Sequence, residues 1–578
     1  MKHCRPLGIR KFDSILLASS LEMIVGILLS LTDTAVMGHI VGLSGLSAMN
    51  VIAPVLGFTV FTENLFSVGT SMLYARRTGE YRQREAEEIF GMGLMMACGM
   101  GLLTYVALAL LMPLYLDSMG VQGQIRSHVT IYMSWLKFEL MLSPVYELIN
   151  LLITTDGDEY LSMASNIARP LLNILLSIVL GQRWGITGIG MGTLISTLIA
   201  LAILGLHFFS KRSTLHPRRH FDRKDLGQML LFGWNDSAMF FILPVLFYAV
   251  TRMVIARYGE FYLPLLTILY TVIEVTGVFE STGEAMRPIL PIYLGDKNRR
   301  SVMRLTIHAH RINLIYGFLF AGVLLVAADW IPLAFDITDP RLLPLCAAGL
   351  RIYALACPML SELALANSYY LNTGKEKIAF CEMLLVQLLC PLVLAVPLTL
   401  TLDLHGLFIG FAAAPYLAAL ILFAVIRAGL GRAGFPWYLE DDGAALLSET
   451  LTLNANEVVA FVARAEAFMK ENRVPDRVAN RVEVACEDLL LLIRDKNPGE
   501  KVAAECCVRV EHGGVTLSMW DSGVIFDITD QDQAAESFRS YFVASMMAQS
   551  TARRLQKRHM VATSFNRNTF FFPMEASR

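Results

Sequence analysis

Charged residues are scarce in this chain of 578 residues: they make up 17% of it, against 55% for hydrophobic residues. Soluble domains carry about 25% charged residues, so this composition excludes a soluble protein as a description of the whole chain. The net charge of −2 decides little, because the positions of basic residues matter in a membrane protein rather than their sum. The composition predicts a polytopic membrane protein.

Cysteine pairs at metal-binding spacing are also missing from the sequence. The nine cysteines are scattered, with no C-x-x-C motif and one adjacent pair, Cys506-Cys507. This pattern indicates neither a zinc site nor a disulfide framework. The triad of a soluble enzyme, a phosphate-binding loop and a metal cluster are absent as well. We therefore expect no catalytic residue, no metal, no cofactor and no nucleic-acid partner.

Long apolar runs are what the sequence does contain, and the first, from about residue 12 to 38, carries an acid, Asp33. An ionised carboxylate in lipid costs several kcal/mol unless it faces a watery cavity or a partner. Asp33 is therefore the first candidate for a functional site, although a cap at a helix end is the alternative. The run lacks a small-residue cleavage pattern and is long enough to span, so we expect a retained helix.

Twelve runs are long enough to cross about 30 Å of hydrocarbon as helices. The first six predicted spans are 13–37, 48–74, 89–113, 129–154, 160–181 and 186–210. The second six are 229–256, 261–286, 305–330, 343–372, 377–400 and 404–428. Basic residues are concentrated before the first span and after even-numbered spans, which predicts a multi-pass protein of the cell membrane with both termini cytoplasmic. The loop Asp156-Gly157-Asp158-Glu159 is the exception, since it has no basic residue.

The two sets of spans repeat one another at an offset of about 216 to 218 residues. For example, Gly79-Glu80-Tyr81-Arg82-Gln83-Arg84 corresponds to Gly295-Asp296-Lys297-Asn298-Arg299-Arg300. Six helices per unit bring both units in from the same side, so the repeat is parallel. We predict an all-α polytopic bundle of about twelve helices in two six-helix lobes, 1–212 and 213–432, followed by an α+β cytoplasmic domain at 433–578.

These spans resemble the multidrug and toxic compound extrusion (MATE) transporter family. The motifs that carry the resemblance are Asp33-Thr34, Tyr74-Ala75-Arg76-Arg77-x-Gly79, the stretch around Asn173, and Gly185-Ile186-Thr187-Gly188-Ile189-Gly190. The resemblance covers about residues 12 to 430. It implies an antiporter in which inward flow of H⁺ or Na⁺ expels small organic, often cationic, compounds. A lipid-linked saccharide flippase and a transporter-derived membrane receptor remain alternatives.

The resemblance also suggests where the coupling ion binds. Asp33 matches the acid of the family's first span, and Asn173 matches a position in the fifth. Ser177 stands where many members have a second acid, so other polar residues of spans two and four are candidates to share its role: Glu63, Glu147 and Asn150. For Asn173, a hydrogen bond between helices is the alternative.

Arg169 is unusual because an arginine within a span is expensive unless it is paired. We expect it to extend to the cytoplasmic interface, and the alternative is that it turns inward and pairs with an acid. For substrate contact the candidates lie in the second lobe, and Glu274 lies deepest among apolar residues. The full set of substrate candidates is Glu274, Glu280, Glu362, Asn367 and Tyr369.

The tail after Arg432 has a water-soluble pattern. It predicts strands at 450–453, 503–511, 515–520 and 569–573, with helices at 456–471, 476–494 and from Gln533. This part resembles the anti-sigma-factor serine kinases of the histidine-kinase-like ATPase fold. Asp521-x-Gly523 matches their adenine-binding motif, and Glu487 matches their catalytic acid.

Two features of the tail depart from that family. Leu491 stands where an asparagine would hold magnesium, and no glycine follows Gly523 to form the phosphate lid. The resemblance therefore implies a degenerate module without ATPase or kinase activity, which binds a nucleotide or a cytoplasmic protein partner.

Overall fold

The chain folds into a bundle of long helices followed by a small sheet. The computed structural model describes residues 5–79, 83–156, 158–209, 215–218, 221–237, 239–287, 289–429, 431, 435, 444–499, 502–511, 513–524, 541 and 565–574. The first half of the bundle comprises α1 Leu7–Val41, α2 Leu43–Gly79, α3 Gln83–Met119, α4 Gly123–Thr155, α5 Glu159–Trp184 and α6 Ile186–Gly205. The second half comprises α7 Arg223–Ser237, α8 Met239–Tyr258, α9 Leu263–Val275, α10 Ser281–Met286, α11 Leu290–Gly295, α12 Arg299–Ala327, α13 Trp330–Ala334, α14 Leu342–Tyr353, α15 Cys357–Asn372, α16 Glu376–Leu384 and α17 Cys390–Gly429.

Nine helical stretches among the described residues are long and apolar enough to cross a membrane. The longest, Glu376–Gly429, contains both of the last two predicted spans. Its backbone leaves the helical region at Leu402 and Asp403, which separates the two spans. Helices α1 and α4, with 35 and 33 residues, are also long enough to span. The predicted helical membrane bundle is confirmed.

The two halves are packed together at the end of the bundle that carries the connections 120–122 and 259–262, here called the distal end. The amide of Gln122 donates to Glu260 Oε1 at 2.8 Å, and the Tyr248 hydroxyl donates to Ser118 Oγ at 3.1 Å. A hydrophobic cluster with residues from both halves, such as Val51 and Leu266, continues the contact inward. The end at which α1 begins is called the proximal end.

Helix α1 crosses from one half to the other. Near its start, Phe12 packs edge-on against His308 at 5.6 Å between ring centroids, and His308 Nε2 lies 2.7 Å from Asp13 Oδ1. Near its end, Val36 and Met37 join the cluster shared by both halves. The proximal half of α1 thus packs on the second half of the bundle, although the sequence places it in the first.

His207, in the turn after α6, is the partner of the loop 156–159, which has no basic residue of its own. Its buried ring lies between two carboxylates, with Nε2 2.9 Å from Asp156 Oδ2 and Nδ1 3.0 Å from Asp158 Oδ2. The basic partner comes from the turn after α6 rather than from the loop itself, which is why the loop sequence does not reveal it.

The described residues of the tail form a four-stranded antiparallel sheet in the order β1-β2-β3-β4, with two helices on one face. Its elements are β1 Ala445–Thr452, α18 Ala455–Glu471, α19 Asp476–Asp495, β2 Ala503–Glu511, β3 Gly514–Asp521 and β4 Asn566–Pro573. The predicted α+β layout is confirmed, and β1 begins earlier than the predicted strand. The helix predicted from Gln533 lies outside the described residues.

Glycine allows α2 and α7 to approach closely. A Cβ at Gly233 would overlap the backbone oxygen of Leu65 on α2, whereas one at Gly227, on the same helix, would meet open space. Gly233→Ala should therefore lower the thermal stability of the detergent-solubilised protein by about 1–3 kcal/mol through overpacking. Gly227→Ala should raise it slightly, because alanine favours the helix. Equal effects of the two changes would contradict this packing.

Candidate transport site

A cavity of about 1380 Å³ lies between the two halves. Helices α1 and α2 form one wall, and helices of the second half form the rest. Ligand pockets usually measure about 300–1,000 Å³, so this cavity has room for an organic molecule and water together. Its place between two repeated halves makes it the candidate transport site.

The two walls of the cavity differ in charge. Among the described lining residues of the first half, Thr34 and Asn50 are polar and the others are apolar. The second half contributes five carboxylates, from Glu274, Glu280, Glu284, Glu376 and Glu382, and two basic side chains, from Arg287 and Lys377. Among the described lining residues the carboxylates thus outnumber the basic side chains.

Three predicted substrate residues meet in this cavity: Glu274, Glu280 and Asn367. No described residue pairs with Glu274, which stands in a wall that also includes Tyr270. The Tyr270 ring stacks on Phe247 with 3.9 Å between centroids. A carboxylate that has no described partner and lines a cavity can hold an organic cation through charge attraction.

Glu382 was missed by the sequence analysis. It lies on α16 with 4% of its surface exposed and accepts a hydrogen bond from Asn367 Nδ2. The signal was available, since Glu382 is an acid inside the predicted eleventh span, and the argument applied to Asp33 holds for it as well.

Glu362 and Tyr369 do not line the cavity. The Glu362 carboxylate is paired with His310 Nδ1 on α12, and Tyr369 is 3% exposed and packs edge-on against Tyr370. Glu362 is thus committed to a partner within the second half. Glu362 and Tyr369 are close in sequence to Asn367, which lines the cavity, but the rotation of α15 turns their side chains away from it.

The cavity opens towards the proximal end. Arg287, paired with Glu284 at 2.9 Å, is 60% exposed there, and Trp234 on α7 is 54% exposed. Beyond the distal side of the cavity, the two halves are joined by the bonds of Gln122 and Tyr248 described above.

Arg169 points into the first half, so the expectation that it extends to the interface is wrong. Its Nη2 lies 2.6 Å from Glu139 Oε1, and Glu139 also accepts from Ser143 at 2.9 Å and from Thr197 at 3.1 Å. The guanidinium lies 4.5 Å from the Tyr146 ring centroid. Arg169 also donates to Thr197 Oγ1 at 3.2 Å and to Ser143 Oγ at 3.4 Å. Its contacts with Glu139, Ser143, Thr197 and Tyr146 offset the free-energy cost of burying the guanidinium charge. The unit of Glu139, Ser143, Arg169 and Thr197 is called the Arg169 cluster.

Two predicted coupling residues lie beside the Arg169 cluster. Glu63 on α2 and Glu147 on α4 both lie within electrostatic reach of the Arg169 guanidinium. Three acids from α2 and α4 are therefore grouped near one guanidinium. Glu139 was not among the predicted residues, because its proximity to Arg169 depends on how α4 faces α5.

The remaining coupling candidates occupy separate places. Asn150 Oδ1 accepts from Ser162 Oγ at 2.6 Å, and Asn173 Oδ1 accepts from Ser177 Oγ at 3.2 Å. Asn173 and Ser177 are both buried. The Asp33 side chain lies outside the described residues, although its backbone belongs to α1.

The predicted nucleotide motif of the tail is bonded within its own domain. The buried Asp521 accepts, through Oδ1, from the Gly523 amide at 3.0 Å and from Asn566 Nδ2 at 2.8 Å. Asn497 accepts from the Val524 amide at 2.8 Å, and Glu487 is exposed on α19. Asp521 and Asn566 thus hold the loop in place.

Two helical halves around a central cavity define a secondary transporter. The MatE family model matches residues 18–179 and 237–398, more than half of the chain, which therefore belongs to the MatE family. The match confirms the predicted family of the membrane part. It ends before the tail, so the likeness of the tail to histidine-kinase-like ATPases stays a prediction.

Solved structures show the same fold. An inward-facing multidrug resistance MATE family transporter of the MOP superfamily matches with a TM-score of 0.66 at 17% identity, over 72% of this chain and 97% of that one. The MATE multidrug transporter DinF-BH, solved in complex with a ligand, matches with a TM-score of 0.60 at 18% identity, over 76% and 100%. A MOP superfamily transporter from Pyrococcus furiosus matches with 0.61 at 17%, over 75% and 99%. No curated protein matches significantly.

The Arg169 cluster makes a prediction about stability. Glu139→Gln removes the charge that pairs with Arg169 and should destabilise the protein by about 3 kcal/mol, because a buried charge loses its partner. Asp117→Asn breaks the exposed pair of Asp117 and Arg126, and it should cost at most about 1 kcal/mol. Thermal unfolding in detergent measures both. A Glu139→Gln protein as stable as the Asp117→Asn protein would contradict the inward pairing.

Proposed function

We propose that this protein is a secondary active exporter of small organic cations, driven by inward flow of H⁺ or Na⁺. The observation that carries the proposal is the large cavity between the halves, with Glu274, which has no described partner, and a surplus of carboxylates in its described lining. A cation entering from the proximal side meets this charged wall. Closure of the proximal end and opening of the distal end then release it on the other side.

The substrate class follows from the charge of the wall. Glu274, Glu280 and Glu382 attract a cation, and the exposed ring of Trp234 offers apolar surface for a ring system. A multidrug transporter with this fold has been solved with a ligand bound. A lipid-linked saccharide flippase would need a basic cavity to hold a phosphate-linked carrier, so the acidic surplus favours an exporter.

Ion coupling is proposed for acids of the first half. A carboxylate that binds H⁺ or Na⁺ in one state and releases it in the other links ion flow to the switch. Asp33, Glu63 and Glu147 are the proposed acids, and Glu63 and Glu147 lie within electrostatic reach of the Arg169 guanidinium. The neutral candidates Asn150, Asn173 and Ser177 would contribute oxygen ligands.

We further propose that the proximal end faces the cytoplasm of a cell, with the termini and the tail on that side. The basic residues of the proximal loops support this orientation. The tail is proposed to regulate or to bind a partner without catalysing a reaction. The receptor alternative is favoured by one observation, the contact between the tail and the bundle described in the next section.

A transport assay with Glu274→Gln tests the substrate site. In proteoliposomes with an imposed H⁺ or Na⁺ gradient, the intact protein should move a fluorescent organic cation, and Glu274→Gln should slow this at least about tenfold, since about 1.4 kcal/mol of binding is lost. Asp117→Asn, at an exposed distal position, should behave like the intact protein. Movement of labelled anionic lipid with no cation transport would instead favour the flippase.

A second transport test addresses coupling. Asp33→Asn and Glu63→Gln should each abolish uphill transport while leaving downhill exchange of the cation, because exchange does not need the ion-binding acid. Comparing H⁺ with Na⁺ gradients identifies the ion. If gradient-driven transport persists in both variants, the coupling ion would be assigned to Glu147 or to acids of the second half. Absence of gradient dependence in the intact protein would favour the receptor.

A further inference from the structure

The tail is bound to the proximal end of the bundle by one face of its sheet. Side chains alternate along a strand, so Cys506 on β2 points to the helices while Glu505 points to the other side. That other face contacts the bundle through four side chains, here called the docking face: Ser448, Glu505, Trp520 and Arg567.

Glu505 makes the central contact. It is 3% exposed, and its carboxylate accepts from the Leu7 amide at 3.1 Å, the Tyr293 hydroxyl at 2.8 Å and Ser301 Oγ at 2.7 Å. Leu7 opens α1, and the preceding Pro6 makes no side-chain cap. The first amides of a helix need an acceptor and favour a negative charge. A carboxylate of the tail therefore caps the first membrane helix.

Trp520 extends the contact. Its ring stacks on Tyr293 with 4.5 Å between centroids, and its Nε1 donates to Asp296 Oδ2 at 2.8 Å. Arg567 forms an ion pair with the same Asp296. Asn298 Nδ2 donates to Ser448 Oγ at 3.1 Å. The connection between α11 and α12 is thereby held by three strands of the sheet.

The burial of the Glu505 carboxylate determines the free-energy cost of docking the tail. It raises the pKa of the Glu505 carboxyl, whereas the hydrogen bonds from Ser301 and Tyr293 lower it. An unpaired carboxylate in this place would be expensive, so the docked state depends on all its donors being present. Gly8 permits the approach, because a Cβ there would overlap the Tyr293 ring.

The two docked elements belong to different sequence halves. Leu7 belongs to the first predicted lobe, and Tyr293 and Ser301 belong to the second. The proximal half of α1 already packs on the second half through Phe12 and His308. Glu505 ties these elements together at the end where the cavity is open. Closing that end requires the halves to approach each other. Because the distal part of α1 packs on both halves, this movement shifts α1 against the second-half elements to which Glu505 fixes its start.

We propose that the docked tail is a clamp that holds the transporter open at its proximal end, and that the tail must undock before this end closes. The clamp rests on one part of the proposed function, namely that the protein alternates between a proximally open and a distally open state. Its direct test needs no substrate, so failure of the clamp is distinguishable from failure of cation export.

The test measures the proximal mouth with spin labels in nanodiscs. Cys98→Ser removes an exposed thiol, and labels at Met72→Cys on α2 and Phe380→Cys on α16 report the width of the mouth, since both residues are exposed and line the cavity. A second pair, Val484→Cys and Met303→Cys, reports docking from exposed positions on α19 and α12.

Three variants break the clamp by different routes. Glu505→Gln places an amide NH₂ against the donors from Leu7, Tyr293 and Ser301. Trp520→Ala removes the stacking on Tyr293. Gly8→Val changes the bundle side of the contact and leaves the tail sequence unchanged. Each should separate the docking pair and raise the ratio of closed to open mouths about tenfold, as expected for loss of a hydrogen bond to a buried charge. Glu449→Gln, at an exposed pair with Arg464, is the matched control and should change neither distance.

Two results would overturn the clamp. In one, the tail separates in the variants while the width of the mouth stays as in the intact protein. In the other, the tail stays docked in all three variants, which would mean that Glu505, Trp520 and the Gly8 approach do not hold it. As the converse test, a disulfide between Asn298→Cys and Ser448→Cys should keep the mouth open and stop turnover until a reductant is added. Turnover unaffected by that disulfide would also overturn the clamp.

Discussion

A charge inside an apolar bundle needs a partner or water, and this constraint organises the molecule. In the first half, Arg169 is satisfied by Glu139 and by hydroxyl groups, and none of these residues lines the cavity. In the second half, Glu274 has no described partner and borders the cavity instead. The two halves repeat one another in topology but differ in where these charged groups lie. Arg169 and Glu139 pair with each other inside the first half, whereas Glu274 and four further carboxylates of the second half line the cavity.

Helix α1 connects the parts that a transport cycle must coordinate. It carries Asp33, lines the cavity at Thr34, packs on both halves, and is capped at Leu7 by a carboxylate of the tail. A change at any of these places alters the free energy of the same helix. Because a helix is stiff along its axis, displacement of its proximal end is transmitted along the helix towards Asp33, the acid proposed for coupling. This gives the tail a physical route to the transport site.

The sequence predicted much of the fold and part of the site. The helical bundle and the α+β tail followed from run length and from strand alternation, and Glu274, Glu280 and Asn367 meet in the cavity as predicted. Glu382 was missed although the rule for intramembrane acids applies to it. The direction of Arg169 was predicted wrongly, because its partner Glu139 lies on another helix and helix-to-helix facing is not a property of local sequence.

The positions of the helices follow from local sequence, because lipid leaves the backbone no other partner for its amides and carbonyls and each run is long enough to span. The α+β domain after them also follows from local patterns. The tertiary structure alone decided which acids are paired and which face the cavity, because that depends on how each helix is rotated against its neighbours. It alone decided that Glu505 caps α1, since the two groups lie nearly five hundred residues apart in sequence and meet through packing of the sheet on the bundle.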